Sequence, residues 1–426
     1  MAGTSSYSRL PEGPRAKLFF LRGGVLGVAR RARFWLAACG LAAAFTTQGQ
    51  DASAQQPLKV GVIMPFTGFF ADSTSQIDRG IRLFMQEHGD LVAGRKVEII
   101  RRDDGGSVPN GRRIAQELVV REKVDLLAGF LLTPVALAVA DVATQAKIPM
   151  VVMNAQGNVI PSKSPYIVRV ASTVQQSVKP IARWAFKNGI TKVYTAVNDF
   201  GPGHDAEKAF VDTFTALGGT IVGSVRLPVE AIDVSPFMQK IKDARPQAVF
   251  AYVVKAEGFV KTAHDQNLEA AGIKILSTGE LTDDRMLRNL SDSTVGIVTA
   301  HHYSFLHDSA LNNRFVKDYR ELFGADQRPS FLTVGGYDGM AAIYAAVEKN
   351  KGDSSATAMM QALAGLRFES PRGPIEIDPK TRDIIQTIYI RRVEKVNGEL
   401  ANVEFDSIVR VDATGAEATD AKSVSK

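Results

Sequence analysis

Lys59-Val60-Gly61-Val62-Ile63-Met64-Pro65-Phe66-Thr67-Gly68 is the stretch from which the rest of the chain is read. Val60, Val62 and Met64 fall on one side of an extended segment and Gly61 and Ile63 on the other. The strand is therefore apolar on both faces, as a sheet covered by helices on both sides requires. Pro65 ends the strand and Gly68 permits the turn that follows. Outward from this unit the same pattern recurs. The spacing predicts strands over residues 59–64, 96–101, 124–128, 150–153, 166–170, 192–197, 220–225, 248–252, 274–277 and 295–300. Between them, helical periodicity covers residues 76–88, 111–121, 134–145, 174–187, 204–217, 235–244 and 256–271. Alternating strands and helices imply parallel sheets layered with helices. These strands are too many for one ordinary sheet, and 426 residues suffice for two domains. The expected class is α/β with two doubly wound parallel-sheet lobes. Past Ala300 the pattern changes to helices over 309–323, 331–349 and 356–366, then β-like runs over 384–393 and 403–411. The small, polar tail from Ala413 to Lys426 is expected to be disordered.

The other end of the chain carries a leader. Arg30, Arg31 and Arg33 precede an apolar run over 34–45, and Ala52-Ser53-Ala54 offers a small-x-small cleavage site. This is the plan of a secretory signal peptide, so the mature protein is expected in the periplasm. The run is too short for a ~30 Å hydrocarbon core. Residues 1–29 are long for a leader, which points to a start codon downstream of Met1. The chain's net charge of +6 is mostly leader chemistry: of 51 basic and 45 acidic side chains, residues 1–54 hold seven and two, which leaves +1. Without clustered basic charge, no nucleic-acid partner is implied. Leu36-Ala37-Ala38-Cys39 resembles a lipoprotein box, but only five residues separate Cys39 from the arginines, and the cut after Ala54 is the preferred reading. Cys39 is the sole cysteine, so that cut removes disulfides and thiol catalysis together.

Several motifs besides the opening stretch point to one family. They are Arg79-Gly80, Gly94-Arg95-Lys96-Val97, the paired acids Asp103-Asp104, Val124-Asp125-Leu126-Leu127-Ala128-Gly129 and Lys147-Ile148-Pro149-Met150-Val151-Val152. In this order and spacing, from Leu58 to Val411, the chain resembles the leucine/isoleucine/valine-binding family of periplasmic proteins. The resemblance implies a type I periplasmic binding fold, with lobes over 58–171 plus 303–373 and 172–302 plus 374–412 and a hinge of three crossover strands. It also implies a small carboxylate-bearing solute in the cleft, permease subunits of an ABC importer as partners, a monomer, and neither enzyme activity nor cofactor.

Ligands of open parallel sheets bind beyond the carboxyl ends of the strands. Strand 124–128 leads into Leu131-Leu132-Thr133-Pro134, where Thr133 reads as an N-cap and a helix should begin, with free N–H groups suited to a carboxylate. The resemblance assigns the Thr133 hydroxyl and the Ala155 backbone N–H to the ligand carboxylate, while the plainer reading has Thr133 only capping its helix. Thr67 of the first loop, Asn154 and Tyr303 complete the implied site. Elsewhere the chain departs from the amino-acid binders. Phe200 and Val254 replace two tyrosines at the amine end, Gly157 replaces a threonine, and Ser73 replaces an aromatic wall. The acid that meets the ammonium aligns near Glu280, one residue out of register with Gly279. The lost hydroxyls argue against an α-amino acid, and a cleft with Phe69, Phe70, Phe200, Tyr303 and Phe331 suits an aromatic or aliphatic acid. A ligand-sensing receptor of the same fold, or an exported α/β enzyme, is the alternative.

Other chemistry finds little support. Gly201-Pro202-Gly203-His204-Asp205-Ala206 outlines a dinucleotide fingerprint, but strand 220–225 ends in Arg226-Leu227-Pro228 without the required acid, and Pro202 removes a backbone donor. A turn at the cleft edge is the expectation. His301 and His302, as neighbours on a strand, should face opposite ways and bind no common metal. There is no G-x-S-x-G elbow and no HExxH helix. Asp283 and Asp284 read as solvated or helix-start charges.

Overall fold

The computed structural model describes residues 55–229, 233–288 and 290–418; the expected leader, Cys39 and the end of the tail lie outside them. The described chain belongs to one compact unit built on two sheets.

The first sheet contains β1 (Leu58–Met64), β2 (Leu91–Val92), β3 (Arg95–Asp103), β4 (Leu126–Gly129), β5 (Met150–Val152) and β6 (Ile167–Arg169), in the order β2-β3-β1-β4-β5-β6. β1 lies parallel between β3 and β4, with Val62 opposite Arg101 on one side and Ala128 on the other. Helices α1 (Ala71–His88), α2 (Val108–Glu117) and α3 (Thr133–Ala146) make the crossovers. The two-faced reading of β1 holds: Val60, Val62 and Met64 are buried with Ile77, Ile81 and Phe84, and Ile63 is buried in a separate cluster with Ile114 and Val139.

The second lobe opens with α4 (Val174–Lys187), which Thr173 and Gln176 start with reciprocal capping bonds. It continues through β7 (Lys192–Asn198), α5 (Gly201–Ala216), β8 (Thr220–Leu227), α6 (Ser235–Asp243), β9 (Ala248–Tyr252), α7 (Ala256–Asp265), β10 (Lys274–Thr278), α8 (Asp284–Leu287) and β11 (Val298–His301). The strand order β8-β7-β9-β10-β11 repeats β3-β1-β4-β5-β6 of the first sheet. The two lobes therefore share a topology, and each has a switch point beside its first strand, at β1 and at β7.

The chain then returns. α9 (Ala310–Phe323), α10 (Phe331–Lys349) and α11 (Ala356–Leu363) cover the first sheet, and β12 (Arg367–Ser370), β13 (Gly373–Ile377), β14 (Ile384–Val396) and β15 (Glu399–Val411) follow. β14 pairs with β13 near its start and with β11 further along. β13 nevertheless buries Ile375 and Ile377 in the first-lobe core, so these strands serve both lobes. The buried clusters change from one lobe to the other between Val170 and Val174, between Ala300 and Tyr303 and between Ile384 and Ile388, and buried arginines fasten these passages. Arg372 pairs with Asp338 at 2.8 Å and donates to the Val170 carbonyl, while Arg169 pairs with Asp383 at 2.6 Å. Burial pushes the Asp338 carboxyl up to about 6 despite Arg372 beside it.

α1 and α10 cross at backbone distance. A Cβ on Gly80 would fall 2.0 Å from the Thr333 carbonyl oxygen, and one on Gly336 would fall 2.0 Å from that of Ile77. Only glycine fits either position.

Several expectations are corrected. α1 begins at Ala71, five residues before the periodic stretch, and α7 stops at Asp265 because Asn267 takes a left-handed conformation. β2, β12, β13 and α8 were too short or too polar to carry a periodic signal. The tail is structured through Ala418. The Ala413 carbonyl accepts from Thr173 at the start of α4, the Gly415 carbonyl from Arg183 further along it, and the Ala418 N–H donates to the Arg410 carbonyl.

Candidate ligand-binding cleft

The carboxyl ends of β1, β4 and β5 face those of β7, β9 and β10 across a cavity of about 260 Å³. The first lobe supplies Phe70, Ser73, Leu131, Leu132, Asn154, Gln156 and Phe331; the second supplies Phe200, Tyr252, Val254, Thr278, Glu280 and Arg285 among others. A larger groove of about 580 Å³ lies on the second lobe at the amino ends of β10 and β11. That is the wrong end of the sheet for a ligand of an open α/β fold, and the smaller cavity is the candidate.

Local structure explains much of the lining. α1, α3, α5 and α7 all begin near the cavity, and none has a side-chain cap: Phe70, Leu132, Phe200 and Lys255 occupy the cap positions. Uncapped N–H groups and the positive ends of the helix dipoles favour an anion. Phe200 stacks on Tyr252, with centroids 6.5 Å apart and planes at 29°. Asn198, at the end of β7, accepts from the Val254 N–H at 2.6 Å and donates to Leu227, which holds the loops in place. Gly203 lets α5 start close to that strand, since a Cβ there would fall 2.0 Å from the Asn198 carbonyl. The glycine-rich motif is thus a close approach of helix to strand at the cleft edge.

Charge is concentrated on one side. The Gln156 amide of the first lobe donates to Glu280 Oε1 of the second at 2.9 Å. Burial pushes the Glu280 carboxyl up, but His301 at 3.6 Å and donors including Thr278 and Gln156 outweigh it and hold it down at about 2. Burial pushes the His301 imidazole down in turn, and Glu280 offsets only part of that. Arg285 Nε meets Asp283 Oδ2 at 3.0 Å, its Nη1 meets Asp72 of the first lobe, and its Nη2 lies 3.4 Å from Ser73 Oγ.

Of the residues singled out from the sequence, Ser73, Asn154, Phe200, Val254 and Glu280 line the cavity, and Thr67, Thr133, Ala155, Gly157 and Tyr303 do not. Thr67 is held by Asp103, which accepts from the Thr67 hydroxyl at 2.6 Å and from the Phe66 N–H at 2.8 Å, shaping the first loop. α3 does begin at Thr133, but Leu132 is the cap residue, and Thr133 Oγ1 instead accepts from the Gly157 N–H at 3.1 Å. The Ala155 N–H is spent on the Phe130 carbonyl at 2.9 Å. Gly157 packs on Thr133: a Cβ there would fall 2.4 Å from the threonine methyl. Tyr303 is fully buried in the first-lobe core, where its hydroxyl bonds Asn312 Oδ1 at 3.0 Å. Phe70, Phe200 and Phe331 line the cavity, whereas Phe69 sits on the surface, 77% exposed.

Of Gly279 and Glu280, only the second lines the cavity. Gly279 is buried against Arg391 and His301, where a Cβ would fall 2.3 Å from Arg391 Nη2, and Glu280 faces the cavity. His301 and His302 do not diverge. Their rings stack at 4.3 Å, because β11 ends at His301 and strand alternation stops there. No metal-binding cluster occurs among the described residues. Asp283 and Asp284 are buried, not solvated: Asp283 caps α8, and Asp284 accepts from Asn402 at 2.6 Å. Sequence reasoning missed Gln156, Tyr252 and Arg285. Tyr252 could have been found as the last residue of a buried strand, but Arg285 stands in a four-residue helix that no periodicity announces.

Comparisons with known proteins agree with this architecture. A family profile for periplasmic binding proteins matches residues 57–399. Leu/Ile/Val-binding protein homolog 6 of Brucella abortus is 42% identical over 366 residues, covering 85% of this chain and 94% of the relative. A solute-binding protein of an ABC transporter from Rhodopseudomonas palustris BisB5, solved in complex with 3,4-dihydroxybenzoic acid, is 47% identical. The match has a TM-score of 0.80 and covers 84% of this chain and 99% of that one. A second R. palustris solute-binding protein, in complex with 4-hydroxybenzoate, is 39% identical with a TM-score of 0.79 and covers 84% and 99%. Family and neighbours are solute-binding proteins rather than enzymes, and among the described residues no helix is long and apolar enough to cross a membrane. A type I fold with facing switch points and an interlobe cavity, matched along most of its length, places this chain in the leucine/isoleucine/valine-binding family of periplasmic binding proteins, the solute-binding components of ABC transporters.

Proposed function

We propose that the chain captures a small aromatic organic acid in the periplasm and delivers it to the permease subunits of an ABC importer. The observation that carries this reading is the cavity wall: Phe70, Phe200, Tyr252 and Phe331 surround a space of about 260 Å³ onto which uncapped helix N-termini open. Flat apolar walls suit a ring, and the helix ends suit its carboxylate. The ligands of the R. palustris neighbours, 3,4-dihydroxybenzoic acid and 4-hydroxybenzoate, support the same class.

In this reading Ser73, Asn154, Phe200, Val254 and Glu280 contact the solute, together with Gln156, Tyr252 and Phe331. The lobes over 58–171 plus 303–373 and 172–302 plus 374–412 close on it as hinged bodies, the protein works as a monomer, and the leader is removed after Ala54. Glu280 accepts a donor from the solute, such as a phenolic hydroxyl. The same carboxylate favours one second reading, a branched-chain amino acid whose ammonium pairs with Glu280, and the Brucella relative's name points that way.

A thermal-shift panel separates the two. At a hundred times its dissociation constant a solute stabilises the folded protein by ~2.7 kcal/mol. Hydroxybenzoates are expected to shift the melting temperature and leucine, isoleucine and valine to leave it unchanged. A shift with the amino acids alone would replace the aromatic reading.

A further inference from the structure

We infer that Arg285 of the second lobe and Ser73 of the first form a clamp for the solute's carboxylate. The inference rests on the aromatic-acid reading and deepens it. The place where family resemblance puts a carboxylate is closed in this chain: the Gly157 N–H donates to Thr133 Oγ1, the Ala155 N–H donates to Phe130, and none of Thr133, Ala155 and Gly157 lines the cavity. Among the residues that do, Arg285 alone is cationic.

Its guanidinium is only partly used. Nε is committed to Asp283 at 3.0 Å and Nη1 to Asp72, but Nη2 has only the Ser73 oxygen at 3.4 Å. A guanidinium nitrogen of this kind carries two protons, so at least one remains for an acceptor. Among the described residues Ser73 Oγ donates to no acceptor, and it sits in the first turn of α1, which has no side-chain cap. A carboxylate beside Nη2 and Ser73 takes a charge-assisted bond from one lobe and a hydroxyl bond from the other. It thereby joins the lobes, and its ring lies between the aromatic walls. Two carboxylates already face Arg285, and both leave room for it: Asp72 is 75% exposed and screened by water, and burial pushes the Asp283 carboxyl up to about 8, towards its neutral form. The acid end then belongs to Arg285 and Ser73, and the solute's other end to Glu280 and Gln156.

The test compares 4-hydroxybenzoate with its neutral amide, 4-hydroxybenzamide, by calorimetric titration of the mature protein. Wild type is expected to prefer the acid. Arg285→Gln is expected to lose about 30- to 100-fold in acid affinity while amide affinity holds, so that the acid-to-amide ratio collapses. Ser73→Ala, on a partly exposed helix turn, is expected to lower the same ratio by about 5-fold. An Arg285→Gln protein that keeps the wild-type ratio overturns the clamp. If that variant loses both compounds equally, Ser73→Ala decides: a reduced ratio supports the clamp and an unchanged ratio overturns it. If wild type binds neither compound, the aromatic-acid reading falls and takes this assignment with it, an outcome distinct from binding with an indifferent Arg285.

Discussion

The two lobes repeat one strand order, yet they meet the cavity with different chemistry. The first lobe offers Phe70, Ser73, Leu131, Leu132, Asn154, Gln156, Phe331 and Leu332, none of them charged; Glu280, Asp283 and Arg285 all come from the second. Their construction differs as well. The first lobe sets α1 against α10 at backbone contact through Gly80 and Gly336, whereas the second builds its charged wall on the single turn of α8 and the 3-10 turn over Gly279–Thr282. A close-packed platform gives the cleft its shape, because helices in backbone contact cannot shift without collision. Short turns give it charge, because they aim polar side chains without committing a helix face to the core. Shape and charge selection are thus divided between two copies of one topology.

The division can be broken first where the lobes are fastened. Asp338→Ala leaves the fully buried Arg372 without its partner and is expected to cost about 3–5 kcal/mol in urea unfolding. The native pair also has a pH signature. Because burial raises the folded-state Asp338 value from 3.8 to about 6, its contribution to stability is fully present below 3.8 and is lost as pH rises through about 6. Asp338→Asn is expected to flatten that slope in denaturation curves taken across this window.

The next test sharpens the contrast in packing. Gly336→Ala places a methyl against the Ile77 carbonyl and is expected to destabilise by about 2–3 kcal/mol. Gly258→Ala in α7 meets nothing within 4 Å and should instead stabilise by about 0.5 kcal/mol through helix propensity. Equal losses in thermal denaturation would show that the first lobe is no more tightly packed than the second.

The smallest effect concerns the old carboxylate position. Thr133→Val strands the Gly157 N–H and is expected to cost about 1 kcal/mol of stability, with 4-hydroxybenzoate affinity unchanged by titration. A large loss of affinity with stability intact would return the threonine to the binding site.

Much of the site was legible at the ends of strands. Phe200 and Val254 follow β7 and β9, Asn154 follows β5, and Glu280 follows β10, so a rule about strand ends reaches all four. Tyr303 defeats the same rule. It also follows a strand, β11, but the chain there crosses to the other lobe and turns the ring into the core beside Phe315. The capping role expected of Thr133 fails for a related reason. A threonine before proline at a helix start suits a cap, and only the neighbouring Gly157 loop claims its oxygen instead.

Local sequence by itself determined the alternation of buried strands and covering helices, because the two-residue period of a strand and the 3.6-residue period of a helix are written along the chain. It also determined the family, through turns whose order unrelated folds do not share. Only the tertiary structure decided which side chains meet across the cleft. Arg285 lies more than two hundred residues from Ser73 and Asp72, and Gln156 more than a hundred from Glu280. Contacts between the two sheets follow from how the passages after Val170, Ala300 and Ile384 set one lobe against the other, and no short-range period records that distance.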